Sequence, residues 1–308
     1  MKIKNYLHML ENIEGEVEHT VDRIISGLKD DKVMVIKNQQ QTEADALLSA
    51  VAEQLGLHDS LMLQAGFASA QKHREQVGEY FMSVNARGDY QYIPPHCEGT
   101  VSTNIQLAAF YAEQNTTDGG ETILFHLDQD YLSNVPLYEV VNKVRIKGAE
   151  LPQQMVAMLA MIHKVRIPDD LLRDNDEVLT SDHVSDFNID IAQVPKVLKK
   201  HTSVILNRDV YSYWDNVAST DKNAAAQFER YLKENQLLRG KLNNESMDNA
   251  AKRRVYDGQY KLEDIIDGQI TYKLQKGDLV LMNNLTWAHS TANWTPGSGE
   301  RQIAAAFA

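Results

Sequence analysis

The sequence has a single cysteine, Cys97, in 308 residues. That excludes an internal disulfide framework and any cysteine-rich zinc site, and it suits a reducing compartment. An excess of positive charge is missing too: 31 Lys and Arg stand against 43 Asp and Glu, a formal charge of −12. Proteins that hold nucleic acid by bulk charge present a basic face, so that partner is not expected, although a local basic pocket remains open. No apolar run approaches the ~20 residues that span a bilayer. The stretch through Glu11 has two lysines but no apolar core and no small-residue cleavage site, so it does not read as a signal peptide. The expectation is a cytoplasmic protein with a small-molecule partner, no nucleic acid and no membrane, its oligomeric state left open. Repeats and low-complexity segments are also lacking. The seven prolines and sixteen glycines are scattered, so no linker announces itself.

What is present can fold. The hydrophobic share of 43% is near the globular norm, and a chain of this length can bury a sizeable core. Val33 to Ile36 is an apolar, β-branched run and predicts a strand. Thr42-Glu43-Ala44-Asp45 resembles a capping box, followed by Leu47, Leu48, Val51 and Leu55 at helical spacing, with Gly56 as the stop. From about 80 to 130 the pattern turns to strands. Ile105, Leu107, Ala109 and Tyr111 alternate with Gln106, Ala108, Phe110 and Ala112; a turn follows at 115–120, then a strand from Thr122 to Phe125. From 150 to 265 the chain looks mixed to helical, with Asp221 to Leu238 as the best helix. Strand character returns at Ile270 to Leu274, Leu279 to Met282 and Gln302 to Phe307. A single domain over 1–308 fits this order. It would have an α/β part at 1–80, a β core from 90–130 and 270–308, and a helical insertion or lid at 150–265.

The most informative segment is Pro94-Pro95-His96-Cys97-Glu98-Gly99-Thr100. In a strand, residues two apart share a face, so His96 and Glu98 can converge while Cys97 points away. An imidazole and a carboxylate so placed are half of a 2-His-1-carboxylate facial triad, which holds Fe(II) and leaves coordination positions open. His289 is the candidate third ligand. It follows an apolar strand and stands twelve residues before Arg301. A hairpin of that length could bring Arg301 beside the metal, where a guanidinium is suited to bidentate capture of a carboxylate. A bare His-x-Glu is weak evidence among ten histidines and 43 acids. The context strengthens it: Gly119-Gly120-Glu121-Thr122 lies downstream of Glu98, and Gly277-Asp278-Leu279-Val280 leads toward His289.

Together these motifs, with Asn284, resemble the taurine dioxygenase and clavaminate synthase-like group of Fe(II)/2-oxoglutarate dioxygenases. The resemblance covers roughly 90–130 and 270–308. It implies a mainly β fold with flanking helices, a double-stranded β-helix or jelly roll, with the metal at its mouth. It implies that His96, Glu98 and His289 bind Fe(II), and that Arg301 and Thr122 hold 2-oxoglutarate, with O2 as the oxidant. The carboxylate is Glu, as on the clavaminate synthase side of the group, and its presence argues against halogenation. The usual Trp-Asp-Asn before the distal histidine reads Met282-Asn283-Asn284. The reaction implied is oxidation of an unactivated C–H bond by hydroxylation, desaturation or cyclisation, in an amino acid or natural-product intermediate. Candidate substrate contacts are Tyr92, Asn104, His126, Arg208 and Trp214. Two other classes compete: a cupin-like isomerase or hydrolase using the same triad with another metal, and a non-catalytic jelly-roll binding protein. Neither needs Arg301 and Thr122.

Overall fold

The structure is a computed structural model. It describes residues 3–13, 17–71, 74–84, 93–99, 104–134, 138–148, 151–163, 165–185, 188–197, 200–212, 229–240 and 262–308. The chain divides into two compact units. The first is Met1–Val135, Lys199–Arg253 and Tyr260–Ala308; the second is Pro136–Leu198 and Arg254–Gln259.

The first unit opens with β1 (Lys4–Asn5), β2 (Leu10–Ile13), α1 (Val17–Lys29), β3 (Val33–Ile36), α2 (Gln41–Gln54) and α3 (His58–Gln71). It continues with β4 (Met82–Ser83), β5 (Ile93–His96), β6 (Leu107–Asn115), β7 (Thr122–Leu127) and α4 (Gln129–Asn134). The second unit follows with β8 (Tyr138–Ile146), α5 (Gln153–Ile162), β9 (Thr180–Val184) and β10 (Ile189–Val197). The chain then returns to the first unit through β11 (His201–Ser203), β12 (Arg208–Val210), α6 (Leu262–Ile265), β13 (Ile266–Tyr272), β14 (Leu279–Asn283), β15 (Trp287–Thr291) and β16 (Arg301–Phe307).

Two sheets dominate the first unit. One is five-stranded, in the order β1-β13-β7-β15-β5; the other is six-stranded, in the order β2-β3-β14-β6-β16-β4. The central strands of the six-stranded sheet are apolar on both faces because both faces are covered. Met34, Ile36, Leu107, Ala109, Tyr111, Leu279 and Leu281 pack with Ile24 and Leu28 of α1 and Leu47, Leu48 and Val51 of α2. The intervening residues Val33, Val35, Ala108, Phe110, Val280 and Met282 join Leu124, Ile270 and Trp287 of the five-stranded sheet in a second core. Strand alternation thus builds two cores from one sheet. Helix α2 contributes Ala44, Leu47, Leu48, Val51 and Ala52, an i, i+3, i+4, i+7, i+8 stripe.

The second unit pairs its strands antiparallel in the order β8-β10-β9. Val144, Met155, Leu159, Val165, Ile189 and Ile191 form its core.

Two expectations need correction. The helical insertion expected over 150–265 is mixed where it is described: β9, β10, β11 and β12 alternate with α5, a helical stretch at 229–234 and α6. Of the expected helix at 221–238, residues 235–238 are turn and loop, and 221–228 lie outside the described residues. The cap of α2 also starts earlier than Thr42. The backbone N–H of Gln40 donates to Glu43 Oε2 at 2.6 Å, so Gln40 rather than Thr42 holds the N-cap position. No helix of the described residues is long and apolar enough to cross a membrane.

Candidate metal centre

Strand β5 ends at His96, and antiparallel pairing with β15 sets His96 directly opposite His289. Directly opposed residues share a face, so the two imidazoles meet with ring centroids 4.2 Å apart. Glu98 completes the group. Its Oε1 lies 3.3 Å from His96 Nε2 and 3.6 Å from His289 Nε2. One donor atom from each of the three residues lies within 4.8 Å of the others. A metal bound at about 2.1 Å holds cis ligands about 3 Å apart, so both measured edges are close to one face of an octahedron. Two imidazoles and a carboxylate also suit a divalent first-row ion, and the residues present therefore fit iron(II).

The strand periodicity that suggested the pair does not itself orient Glu98, because the ladder stops at His96. Asn284, fully buried on the turn between β14 and β15, does so. Its Oδ1 accepts from the Glu98 N–H at 2.9 Å, while its Nδ2 donates to the Glu98 carbonyl at 3.0 Å and to the Ile105 carbonyl at 2.8 Å. Gly99 follows at φ +91°, a left-handed conformation that glycine adopts without strain. Cys97, buried at 1% exposure, turns its thiol toward the Trp287 carbonyl and away from the donors. Burial alone would raise the Glu98 carboxyl, but the imidazoles of His289 and His96 hold it well below the ordinary carboxylate value. The ring of Phe110 backs His289 at 4.8 Å between centroids.

Beyond the triad, Thr291 stands two residues past His289 on β15 and is the register partner of Thr122. Arg301 comes from the opposite sheet: its Nη2 donates to Thr291 Oγ1 at 3.5 Å and its Nε to the Gly120 carbonyl at 3.3 Å. Gly120 has φ +70°, and a Cβ there would lie 2.9 Å from Thr117 Oγ1 and 3.1 Å from Arg301 Cδ. The glycine therefore lets Arg301 lie against the turn. Thr122, Thr291 and Arg301 make a hydroxyl-lined cationic corner along the strand that carries His289.

The candidate substrate contacts are dispersed. His126 has both ring nitrogens engaged, Nδ1 with Asp267 at 2.8 Å and Nε2 with Asp31 at 3.1 Å. Asn104 is exposed at φ +47° ahead of β6, and Arg208 is exposed at the start of β12. Tyr92 and Trp214 lie outside the described residues. Thr291, Phe110 and the side chain of Asn284 carry no assigned role in the sequence motifs. The i+2 spacing from His289 was a usable signal for Thr291; nothing in the sequence tied Asn284 to the backbone of residue 98.

No family model and no curated protein matches the chain significantly. Among solved structures, AAD-2 in complex with Mn(II) and N-oxalylglycine is 11% identical with a TM-score of 0.43, over 99% of this chain and 95% of that one. The non-heme iron oxygenase OrfP in complex with Fe and alpha-ketoglutaric acid is 13% identical with a TM-score of 0.42, over 94% of this chain and 79% of that one. Likeness at this level transfers no residue role, ligand or activity; those rest on the side chains of this chain.

Proposed function

We propose that the chain is an Fe(II)- and 2-oxoglutarate-dependent oxygenase that oxidises an unactivated C–H bond of a small molecule. The observation that carries this reading is the convergence of His96, Glu98 and His289, with Thr122 and Thr291 on the adjoining stretch of the same sheet and Arg301 reaching Thr291 from the facing one. The two sheets sharing a core are the arrangement expected of a double-stranded β-helix, and 1–308 is read as one catalytic domain interrupted by the second unit.

In this reading His96, Glu98 and His289 hold iron on one face. When bound, Fe(II) together with 2-oxoglutarate and dioxygen supplies the oxidation: 2-oxoglutarate leaves as succinate and carbon dioxide, and the second oxygen atom is available to the substrate. Glu98, kept anionic by its two imidazole neighbours, supplies the charge that favours a dication. Arg301 binds the distal carboxylate of 2-oxoglutarate, and its planar guanidinium suits that group better than a lysine would. Thr122 adds a hydroxyl hydrogen bond to the same molecule. Phe110 and the apolar core behind it exclude water from the back of His289. The substrate class we favour is an amino acid or a natural-product intermediate derived from one.

Anaerobic addition of Fe(II) and 2-oxoglutarate should give a weak visible charge-transfer band, and air should then yield succinate. His96→Ala, Glu98→Ala and His289→Ala should each abolish band and turnover. A wild-type protein giving neither would overturn the assignment, and full turnover in any one variant would overturn the ligand set.

A further inference from the structure

Asn284 lies on the turn just before the strand of His289, yet two of the three bonds of its side chain go to the opposite ligand segment. A side-chain amide that accepts from the N–H and donates to the C=O of one residue fixes the orientation of both flanking peptides. Here that residue is Glu98, the donor that the β5 ladder does not reach. The third bond, to the Ile105 carbonyl, ties the segment leading into β6 to the same amide. Asn284 is buried at 0% exposure, so water cannot readily replace these bonds. Its neighbour Asn283 is equally buried but makes different bonds: Nδ2 to Ser203 Oγ at 3.4 Å, and Oδ1 from the Leu285 N–H at 3.0 Å.

We infer that Asn284 is a positioning residue for the carboxylate ligand: it aims Glu98 at His96 and His289 and couples the two ligand-bearing segments. This rests on the metal reading above. Residues that orient a ligand from behind typically change metal affinity by about 10–100-fold when removed.

The test is a double-mutant cycle on Co(II) affinity, measured by calorimetry on the full chain, with apo-state thermal unfolding recorded alongside. Asn284→Ala should weaken Co(II) binding by about 10-fold or more in the wild-type background. In the Glu98→Ala background, which retains both imidazoles, the same change should alter affinity by less than about twofold, because the group that Asn284 aims is gone. Asn283→Ala should lower the unfolding temperature yet keep Co(II) affinity within about twofold. Equal losses of affinity with and without Glu98, or equal losses in Asn283→Ala and Asn284→Ala, would overturn the inference while leaving the metal site standing. Wild-type protein that binds Co(II) no better than Glu98→Ala would instead overturn the metal reading. If Asn284→Ala does not fold, Asn284→Asp carries the cycle. It keeps the acceptor for the Glu98 N–H and loses both donations, and it should show the same dependence on Glu98.

Discussion

His126 gives the most quantitative prediction. Its ring is held between Asp31 and Asp267, with Trp287 edge-on at 4.9 Å. Burial lowers the affinity of an imidazole for its proton, but hydrogen bonds to Asp267 and Asp31 outweigh that and push His126 from 6.5 up to about 9. At about 1.4 kcal/mol per tenfold, the rise corresponds to about 3 kcal/mol as an upper bound, since the side chain is 16% exposed and part of the field is screened. The folded value lies above the unfolded one, so the contribution is complete below about pH 6.5, declines as the pH climbs, and is gone above about 9. The perturbation is His126→Gln, which is neutral at every pH. Urea unfolding, followed by tryptophan fluorescence because Trp287 packs on this ring, should show wild type ahead by up to about 3 kcal/mol at pH 6. The gap should close toward pH 10. A gap that stays constant across that range would refute the charged-imidazole account, and so would a variant as stable as wild type at pH 6.

Three other outcomes follow from the geometry. Arg301→Ala should raise the 2-oxoglutarate concentration needed for half-maximal succinate formation by about 10-fold or more while leaving Co(II) affinity nearly unchanged. Equal shifts in both, by kinetics and calorimetry, would place Arg301 elsewhere. Gly120→Ala meets a left-handed φ and a crowded Cβ, so it should cost about 1–2 kcal/mol in urea unfolding and also weaken 2-oxoglutarate, because Arg301 must move. Lys37→Met leaves Asp278, at 1% exposure, without the ammonium that bonds it at 2.9 Å. Losses of about 3–5 kcal/mol are typical for one partner of a buried pair, and a loss under about 1 kcal/mol would show that the Tyr272 hydroxyl and the Gln275 N–H, which donate at 2.9 and 2.8 Å, satisfy the carboxylate without the ammonium.

Much of the site was legible because its signals are local or motif-like. Val33 to Ile36 reads as a strand and is one, and the alternating run before Gly119 became the strand whose two faces feed two cores. The triad emerged from residue chemistry plus a pattern shared with a family. The strands of the second unit were harder to see. In β10 the apolar positions Ile189 and Ile191 do alternate, but Pro195 argues against a strand interior. The register resolves this: β9 pairs only as far as Gln193, so Pro195 has no partner on that side and its missing N–H forfeits nothing. Strand β9 is almost wholly exposed and offers no hydrophobic periodicity to read. The cap on Gln40 was missed because glutamine is not a preferred capping residue. The role of Asn284 was invisible because it depends on a contact between segments far apart in the chain.

Strand β5 lies at the rim of its sheet, bonded there to β15, and two of its four residues are prolines. Proline has no N–H to offer, so this rim resists recruiting a foreign strand, and it is also held by few bonds. The first imidazole of the triad therefore rides on a short rim strand of the five-stranded sheet, at a point where the pairing register slips. Parting of His96 from His289 requires only that this short rim peel back, while the doubly covered strands behind it stay intact. Exchange of a bound ion would then track local fraying of β5 and be nearly independent of the global unfolding free energy.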